Sequence, residues 1–259
     1  MKAHTIQTII AALLLTIPTT TSLANLSGSD DFNDNSKDLT KWGTDNGGAG
    51  HNLNEINQRL EYTADGSNSY KERPWILNTG SYVENWEAWM DVHLSTAALP
   101  SDGDDRRFTL GLSAGGFAAG VQLELKNYSG TTLRSFKVSD EGPGGTDFLV
   151  STVSTDGAVR MTFDASTKVL GFQYDADGGI GGYIWTQFYT IDTDASGTGW
   201  GLNAASTFAI APSGESEGVG VGAGEAYGDN FNAVPEPSSV FLVLLGAMAF
   251  CRRNRNSRA

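Results

Sequence analysis

The sequence predicts an all-β protein: an antiparallel β-sandwich or jelly roll, flanked by an N-terminal signal peptide and one short hydrophobic helix at the C-terminus. Three observations support this fold class. Short segments alternate between apolar and polar residues, 32 glycines separate them, and no stretch before the C-terminal apolar run keeps helical periodicity for three turns. Many short strands joined by tight turns are typical of sandwiches and jelly rolls.

The segment Met1–Ala24 has the organisation of a secretory signal peptide. Lys2 gives a positive start, Ile9 to Ile17 forms the apolar core, and Ser22-Leu23-Ala24 is a small-x-small cleavage site. We therefore expect the exported chain to begin at Asn25. The alternative is an uncleaved helix of the folded domain.

Candidate strands follow, each with one apolar and one polar face. Such alternation is tolerated in antiparallel sheets and is uncommon in parallel ones. The apolar faces of five candidate strands are Trp86, Ala88, Met90, Val92 and Leu94; Phe108, Leu110 and Leu112; Val121, Leu123 and Leu125; Val159, Met161 and Phe163; and Leu170, Phe172 and Tyr174.

Turn signals rich in glycine lie between these segments, where positive φ angles are needed. The predicted turns are Asp65-Gly66, Asp102-Gly103, Gly115-Gly116, Ser129-Gly130, Gly142-Pro143-Gly144-Gly145, Asp156-Gly157 and Asp177-Gly178-Gly179.

Charge is unevenly placed along the chain. The part from Asn25 to Ser239 carries all 30 acidic residues but only 12 of the 17 basic ones. A body this acidic argues against a nucleic-acid partner. The only cysteine is Cys251, so the chain cannot form an intramolecular disulfide, and a body of this length can bury a core without one.

The C-terminal segment combines three features in order. Val234-Pro235-Glu236-Pro237 is followed by the apolar run Val240–Phe250 and then by an arginine-rich end. The run of 11 residues spans roughly 17 Å as a helix and is shorter than the ~20 residues of a comfortable membrane span. A C-terminal core helix is the alternative, although a run that is apolar all round lacks the stripe of such a helix. The predicted membrane-stop residues, held on the cytoplasmic side, are Arg252, Arg253 and Arg255.

This three-part segment resembles the PEP-CTERM sorting signal of Gram-negative bacteria. The resemblance implies recognition by an exosortase, with Val234, Pro235, Glu236 and Pro237 as the sorting and processing residues. It also implies export to the cell envelope, outer surface or extracellular polysaccharide matrix, with a transient inner-membrane anchor through the C-terminal helix. The resulting division is a signal peptide (1–24), an ectodomain (25–232) and a sorting signal (233–259) with its motif at 234–237, its helix at 238–251 and its basic tail at 252–259.

The two ends of the body resemble concanavalin A-like lectin/glucanase domains, the jelly-roll group that includes laminin G-like modules. Asp30-Asp31-Phe32-Asn33, followed by Trp42 and Arg59-Leu60-Glu61-Tyr62, opens the body, and Gly228-Asp229-Asn230-Phe231-Asn232 closes it. The resemblance spans most of Gly28 to Asn232. It implies that the first and last strands of the body lie side by side.

Catalytic patterns are weak in this body. Glucanases of the resembled fold carry Glu-x-Asp-x-x-Glu or a close variant, which is not found here. Glu87 and Asp91 share a strand face but are about 13 Å apart along the strand, and Glu124 has no same-face acidic partner two residues away. The sequence also offers no nucleophilic triad and too few histidines for a zinc site. We therefore predict a non-enzymatic envelope or matrix protein; the alternatives are a glycoside hydrolase and a purely structural matrix component.

Two binding sites remain as hypotheses. Asp175, Asp177, Asp192 and Asp194 supply carboxylates of the kind that calcium prefers, although Asp-Gly also forms ordinary hairpin turns. The second site is a polysaccharide-stacking platform, because rings on a polar strand face form apolar patches on a wet surface. Packing of these rings in the core is the alternative. The platform residues are Trp89 and, on one face of the segment 183–191, Tyr183, Trp185 and Tyr189.

Overall fold

The structure, a computed structural model, describes residues 28–74, 80–194 and 199–235. These residues form 16 strands in two eight-stranded sheets, in which every paired strand is antiparallel. The described parts of the chain contain no helix. The predicted all-β antiparallel sandwich is therefore confirmed.

Sheet 1 contains both terminal strands of the body. Strands are numbered along the chain. In spatial order sheet 1 consists of β14 (Thr186–Asp192), β13 (Val169–Asp175), β12 (Asp156–Asp164), β7 (Trp86–Leu94), β16 (Gly220–Pro235), β4 (Arg59–Asp65) and β3 (His51–Ile56), with β1 (Gly28–Asp30) also paired to β16.

Sheet 2 packs against sheet 1 across the core. In spatial order it consists of β11 (Phe148–Thr152), β10 (Thr131–Asp140), β9 (Phe117–Tyr128), β8 (Asp105–Ala114), β15 (Thr207–Glu217), β5 (Ser69–Glu72) and β2 (Asn46–Gly47), with β6 (Gly80–Ser81) paired to β15.

The core lies between the two sheets and follows the predicted alternation. Residues of β7 alternate strictly between buried and half-buried positions from Trp86 to Leu94. The apolar faces predicted for the other four segments are also in the core cluster, with Tyr174 half-buried at its margin. Burial of each large apolar side chain stabilises the folded state by about 1.5–3 kcal/mol relative to leaving it exposed. The alternation therefore fixes which face of each sheet points inward.

The terminal strands lie side by side, as the resemblance of the two ends implies. Asp30 of β1 pairs with Phe231 of β16. The ring of Phe231 meets Trp42 edge-on at 5.1 Å, and Trp42 stacks on Phe32 at 6.0 Å. Asp30 also accepts a 2.6 Å hydrogen bond from the Trp42 indole nitrogen. This cluster fixes the corner where the body begins and ends.

One predicted turn is wrong. Asp156 and Gly157 begin β12 and pair with His93 and Val92. The glycine is required by close packing: a Cβ at position 157 would lie 2.4 Å from Cζ of Phe136 on the opposite sheet. Local sequence could not distinguish this glycine from a turn glycine, because the ring that excludes a side chain comes from a distant strand.

The predicted signal peptide (1–24), hydrophobic helix (238–251) and basic tail (252–259) lie outside the described residues. Within residues 28–74, 80–194 and 199–235, no helix is long and apolar enough to cross a membrane.

Candidate functional site

The outward side of sheet 2 is polar, and its residues align in rows across the strands. One row runs from Ser135 through Glu124, Arg107 and Glu215 to Tyr70, on five neighbouring strands. The next row consists of Lys137, Gln122, Thr109, Ser213 and Glu72. The inward side of the same strands is core, so these polar side chains face away from the core.

A groove of about 250 Å³ lies on this polar face. Its floor is made of small residues, which belong to the next two rows along the same strands. These residues are Gly111, Gly120, Ala118, Ala209, Ala211, Ser113 and Ser139. Larger polar side chains stand around that floor, namely Tyr70, Glu72, Arg107, Gln122, Glu141 and Glu215. The change from long to short side chains along the strands creates the depression.

Ion pairs connect the charged side chains beside the groove. Arg107 pairs with Glu215 on β15 and lies 3.7 Å from Glu124 on β9. Lys137 on β10 pairs with Glu124 at 3.2 Å and with Asp147 at 2.9 Å. Glu124 Oε2 is buried, and no protein group that the structure describes hydrogen-bonds to it. The second oxygen of Glu124 is therefore a buried acceptor without a hydrogen-bond partner among the described residues.

These pairs shift the pKa values of both cations upward. Burial disfavours the charged form of Arg107, but the neighbouring Glu215, Asp105 and Glu124 outweigh it and raise its pKa above the usual value. For Lys137, burial is likewise outweighed by Asp147 and Glu124, which raise the pKa of the ammonium group. Both groups remain cationic at neutral pH.

Tyr70 and Glu72 form one wall of the groove. The Tyr70 hydroxyl donates to Glu72, which also accepts a 2.8 Å hydrogen bond from Asn46. Burial, followed by this hydrogen bond, raises the pKa of Tyr70. Because Tyr70 is still 39% exposed, its ring is partly open to a ligand.

Three of the four predicted platform residues lie together on the outward side of sheet 1. Tyr183 stacks on Trp185 at 4.9 Å and donates a 3.0 Å hydrogen bond to Asp91. The Arg160 guanidinium lies 5.4 Å from the centre of the Trp185 ring, and Arg160 pairs with Trp89 across the ladder. Trp89, Tyr183 and Trp185 thus form one patch around Arg160.

The prediction that Tyr189 shares the face of Tyr183 and Trp185 is wrong. A β-bulge at Phe188 shifts the register, so that Phe172 pairs with Tyr189 whereas Gln173 pairs with Gln187. The extra residue turns Tyr189 toward the inner side, where it contacts Phe148 and Phe172. Strict alternation along the segment could not reveal this bulge.

The four predicted calcium ligands do not lie together. Asp175 ends β13 and Asp192 ends β14 at the opposite end of the same hairpin. Asp175 accepts hydrogen bonds from the backbone nitrogens of Asp177 and Ile184, which organises the connecting loop. Across the described residues, no group of three His, Cys, Asp or Glu side chains could hold a metal ion. The single four-carboxylate calcium site is therefore wrong.

The acids considered for catalysis have separate partners. Glu87 forms an ion pair with Arg160, and Asp91 accepts from Tyr183 and from Asn230 at 2.8 Å. Glu124 is on the other sheet, with Lys137 and Arg107.

Sequence reasoning missed the groove residues Tyr70, Arg107, Gln122 and Glu215. They come from four strands spread over about 150 positions, and no local motif links them. The available signal was the polar face of each strand, which predicted only that these side chains point away from the core.

The C-terminal motif begins inside the last strand of the sandwich. Val234 pairs with Glu87 and Pro235 with Trp86. The predicted sorting residues Glu236 and Pro237, and the arginines Arg252, Arg253 and Arg255, lie outside the described residues.

Residues 233–256 match the PEP-CTERM protein-sorting motif. The match confirms the resemblance of this segment and covers only the C-terminal end of the chain. The PEP-CTERM motif indicates export, association with the cell envelope or surface, and processing by an exosortase.

The body has the concanavalin A-like lectin/glucanase jelly-roll fold. One similar structure is the endo-1,3-beta-glucanase of Streptomyces sioyaensis, with 13% identity, 84% of this chain and 98% of that chain covered, and a TM-score of 0.52. Another is the winged bean acidic lectin complexed with methyl-alpha-D-galactose, with 12% identity, 82% and 100% coverage, and a TM-score of 0.51. At these identities the likeness shows the fold alone. No curated protein sequence matched the chain.

Proposed function

We propose that this chain is an exported, non-catalytic envelope or extracellular-matrix protein that binds polysaccharide in the groove of sheet 2. The observation that carries the proposal is the groove itself: a floor of small residues surrounded by carboxylates, an amide, a guanidinium and a partly exposed tyrosine ring. Binding sites commonly combine a shaped depression with a few convergent polar groups. Such groups match the hydroxyls of a sugar, and the Tyr70 ring offers an apolar surface for its C–H face.

The acids in and beside the groove form ion pairs with cationic side chains, which supports a binding role over hydrolysis. Glycoside hydrolysis uses one carboxylic acid that donates a proton and a second carboxylate that acts as nucleophile or base. Here Glu215 and Glu124 each have a cation beside them, and Arg107 contacts both. Acids that are held in ion pairs by the protein's own cations are less available to the reacting bond of a substrate.

Hydrolysis is the second candidate function, because Glu124, a neighbour of the groove residue Arg107, has a carboxylate oxygen with no hydrogen-bond partner among the described residues. Release of reducing ends from polysaccharides would distinguish the two functions. Release that is lost in Glu124→Gln would establish a hydrolase, whereas release that is lost only in Glu87→Gln would place the chemistry on sheet 1.

The binding proposal is tested by measuring the affinity of the purified protein for a panel of polysaccharides. We expect Tyr70→Ala and Gln122→Ala to weaken binding at least tenfold, because they remove the ring and the amide of the groove. Trp185→Ala is the matched control on sheet 1, and it tests the predicted patch of Trp89, Tyr183 and Trp185. If Trp185→Ala abolishes binding and the groove variants do not, the glycan site is on sheet 1. Absence of binding to every polysaccharide would leave a structural matrix role.

A further inference from the structure

The last strand of the sandwich and the sorting motif overlap. β16 ends at Pro235, whereas the matched motif begins at residue 233. Ala233, Val234 and Pro235 therefore belong both to the folded sheet and to the segment that directs sorting. No linker separates the body from the motif.

The backbone at this overlap is already paired. Ala233 lies between two strands, opposite Ala88 of β7 and Gly28 of β1, and its side chain is fully buried. Val234 and Pro235 continue the ladder with β7. Enzymes that recognise an extended peptide use the backbone groups and alternate side chains that a sheet also uses. The same residues cannot serve both partners at once.

The corner that holds the overlap is well packed. Phe231, two residues before Ala233, is buried against Trp42, and Asp30 ties the Trp42 indole to β1. Pro235 lacks a backbone N–H, and a proline is best accommodated where pairing ends. Among the described strands Val234 and Pro235 pair with β7 alone, and Pro235 can donate no backbone hydrogen bond, so the end of the ladder is its weakest part.

We propose that Val234 and Pro235 must separate from β7 before the processing enzyme can bind and process the motif. The folded body therefore slows processing, because the end of the ladder must open each time the enzyme binds the motif. The inference depends on processing of the motif and is independent of glycan binding.

The proposal is tested with staples, which are engineered disulfide bonds between paired strands. They are introduced into a Cys251→Ser parent, which has no other cysteine. Glu87→Cys with Val234→Cys joins the end of the ladder, because these residues are directly opposite each other. His93→Cys with Tyr227→Cys is the matched control: it joins the same two strands far from the motif, where the native rings stack at 4.4 Å. Oxidised and reduced forms are incubated with membranes from cells that process the parent, and the processed fraction is measured by intact mass.

We expect the oxidised end staple to reduce processing at least tenfold and reduction to restore it. The control staple should be processed at the rate of the parent in both forms. Ala88→Cys with Ala233→Cys is a second end staple that keeps Val234, and it should behave like the first.

Equal processing of oxidised and reduced end staples would overturn the proposal. Inhibition by the control staple would also overturn it, because general stiffening of the sandwich would then explain the effect. A parent that is never processed would refute this inference together with exosortase processing, while leaving the glycan measurements unaffected.

Discussion

Lys137 and Glu124 form an ion pair across β10 and β9, with 3.2 Å between Nζ and Oε1 and with 9% and 1% of their side chains exposed. The pair lies on the polar face of sheet 2, beside the candidate groove. Because both groups are largely removed from water, each depends on the other for compensation of its charge.

Removal of one partner should destabilise the fold. Lys137→Met leaves the buried Glu124 without its closest cation, so we expect the free energy of unfolding to fall by about 3–5 kcal/mol. Urea denaturation measures the change. Lys41→Met is the control, because Lys41 is more exposed and contacts its acids at 3.6 and 4.0 Å; its effect should stay within about 1 kcal/mol. Unchanged stability of Lys137→Met would show that Arg107 alone compensates Glu124.

Asp91 and Asp229 are two acids whose proximity should destabilise the folded protein at neutral pH, so replacing one of them should stabilise it. They face each other across β7 and β16. Burial raises the pKa of both groups, and the charge of Asp91 adds to the shift of Asp229. Since a raised pKa in the folded state means that stability is lost as pH rises through that value, Asp229→Asn should stabilise the protein at pH 7.

We expect a gain of about 0.5–1 kcal/mol at pH 7 for Asp229→Asn. The gain should vanish near pH 3, where both carboxyl groups of the wild type are protonated in the folded state. Urea denaturation of wild type and variant at the two pH values measures it. A gain that is the same at both pH values would contradict a charge effect.

The acidic lining of the groove predicts selectivity among polysaccharides. Glu72, Glu141 and Glu215 line the groove together with a single guanidinium, that of Arg107, so a uronic-acid polymer should bind more weakly than a neutral one. Glu141→Gln should improve the affinity for the anionic polymer by about fivefold, which corresponds to about 1 kcal/mol for one nearby charge. Titrations at low and high salt measure this, because screening should remove the difference. Asp177→Asn, on a loop of sheet 1, should leave the selectivity unchanged.

Gly228 should not tolerate a side chain. A Cβ at this position of β16 would lie 2.1 Å from Cε of Met90 and 2.5 Å from Cε1 of Phe108. Overpacking of a core typically costs about 1–3 kcal/mol, so Gly228→Ala should lower the melting temperature clearly. Gly222→Ala is the control on the same strand, because its Cβ would meet only the flexible Glu225 side chain at 3.5 Å. Equal melting temperatures of the two variants would contradict the packing argument.

Much of the fold could be predicted from local pattern. The alternation of Trp86 to Leu94 and of Val121 to Leu125 identified the inward faces correctly, because burial of one face per strand is a period-two property of the chain. The predictions for Tyr189 and Gly157 were wrong for different reasons. A bulge turns Tyr189 to the other face of its strand. The ring of Phe136 from the opposite sheet leaves no room for a side chain at position 157. The calcium hypothesis failed for a related reason: Asp175 and Asp192 are separated by the length of one hairpin.

By itself the sequence determined the sorting motif, the division of charge and the all-β sandwich, because each of these is encoded by residues close together in the chain. Only the tertiary structure decided where the candidate groove lies, since the row from Glu124 through Arg107 to Glu215 exists only when β9, β8 and β15 pair in register. It also decided that Val234 and Pro235 are part of a paired strand. Hydrogen bonding between distant strands sets both arrangements, and strand pairing in register is not encoded by any local segment.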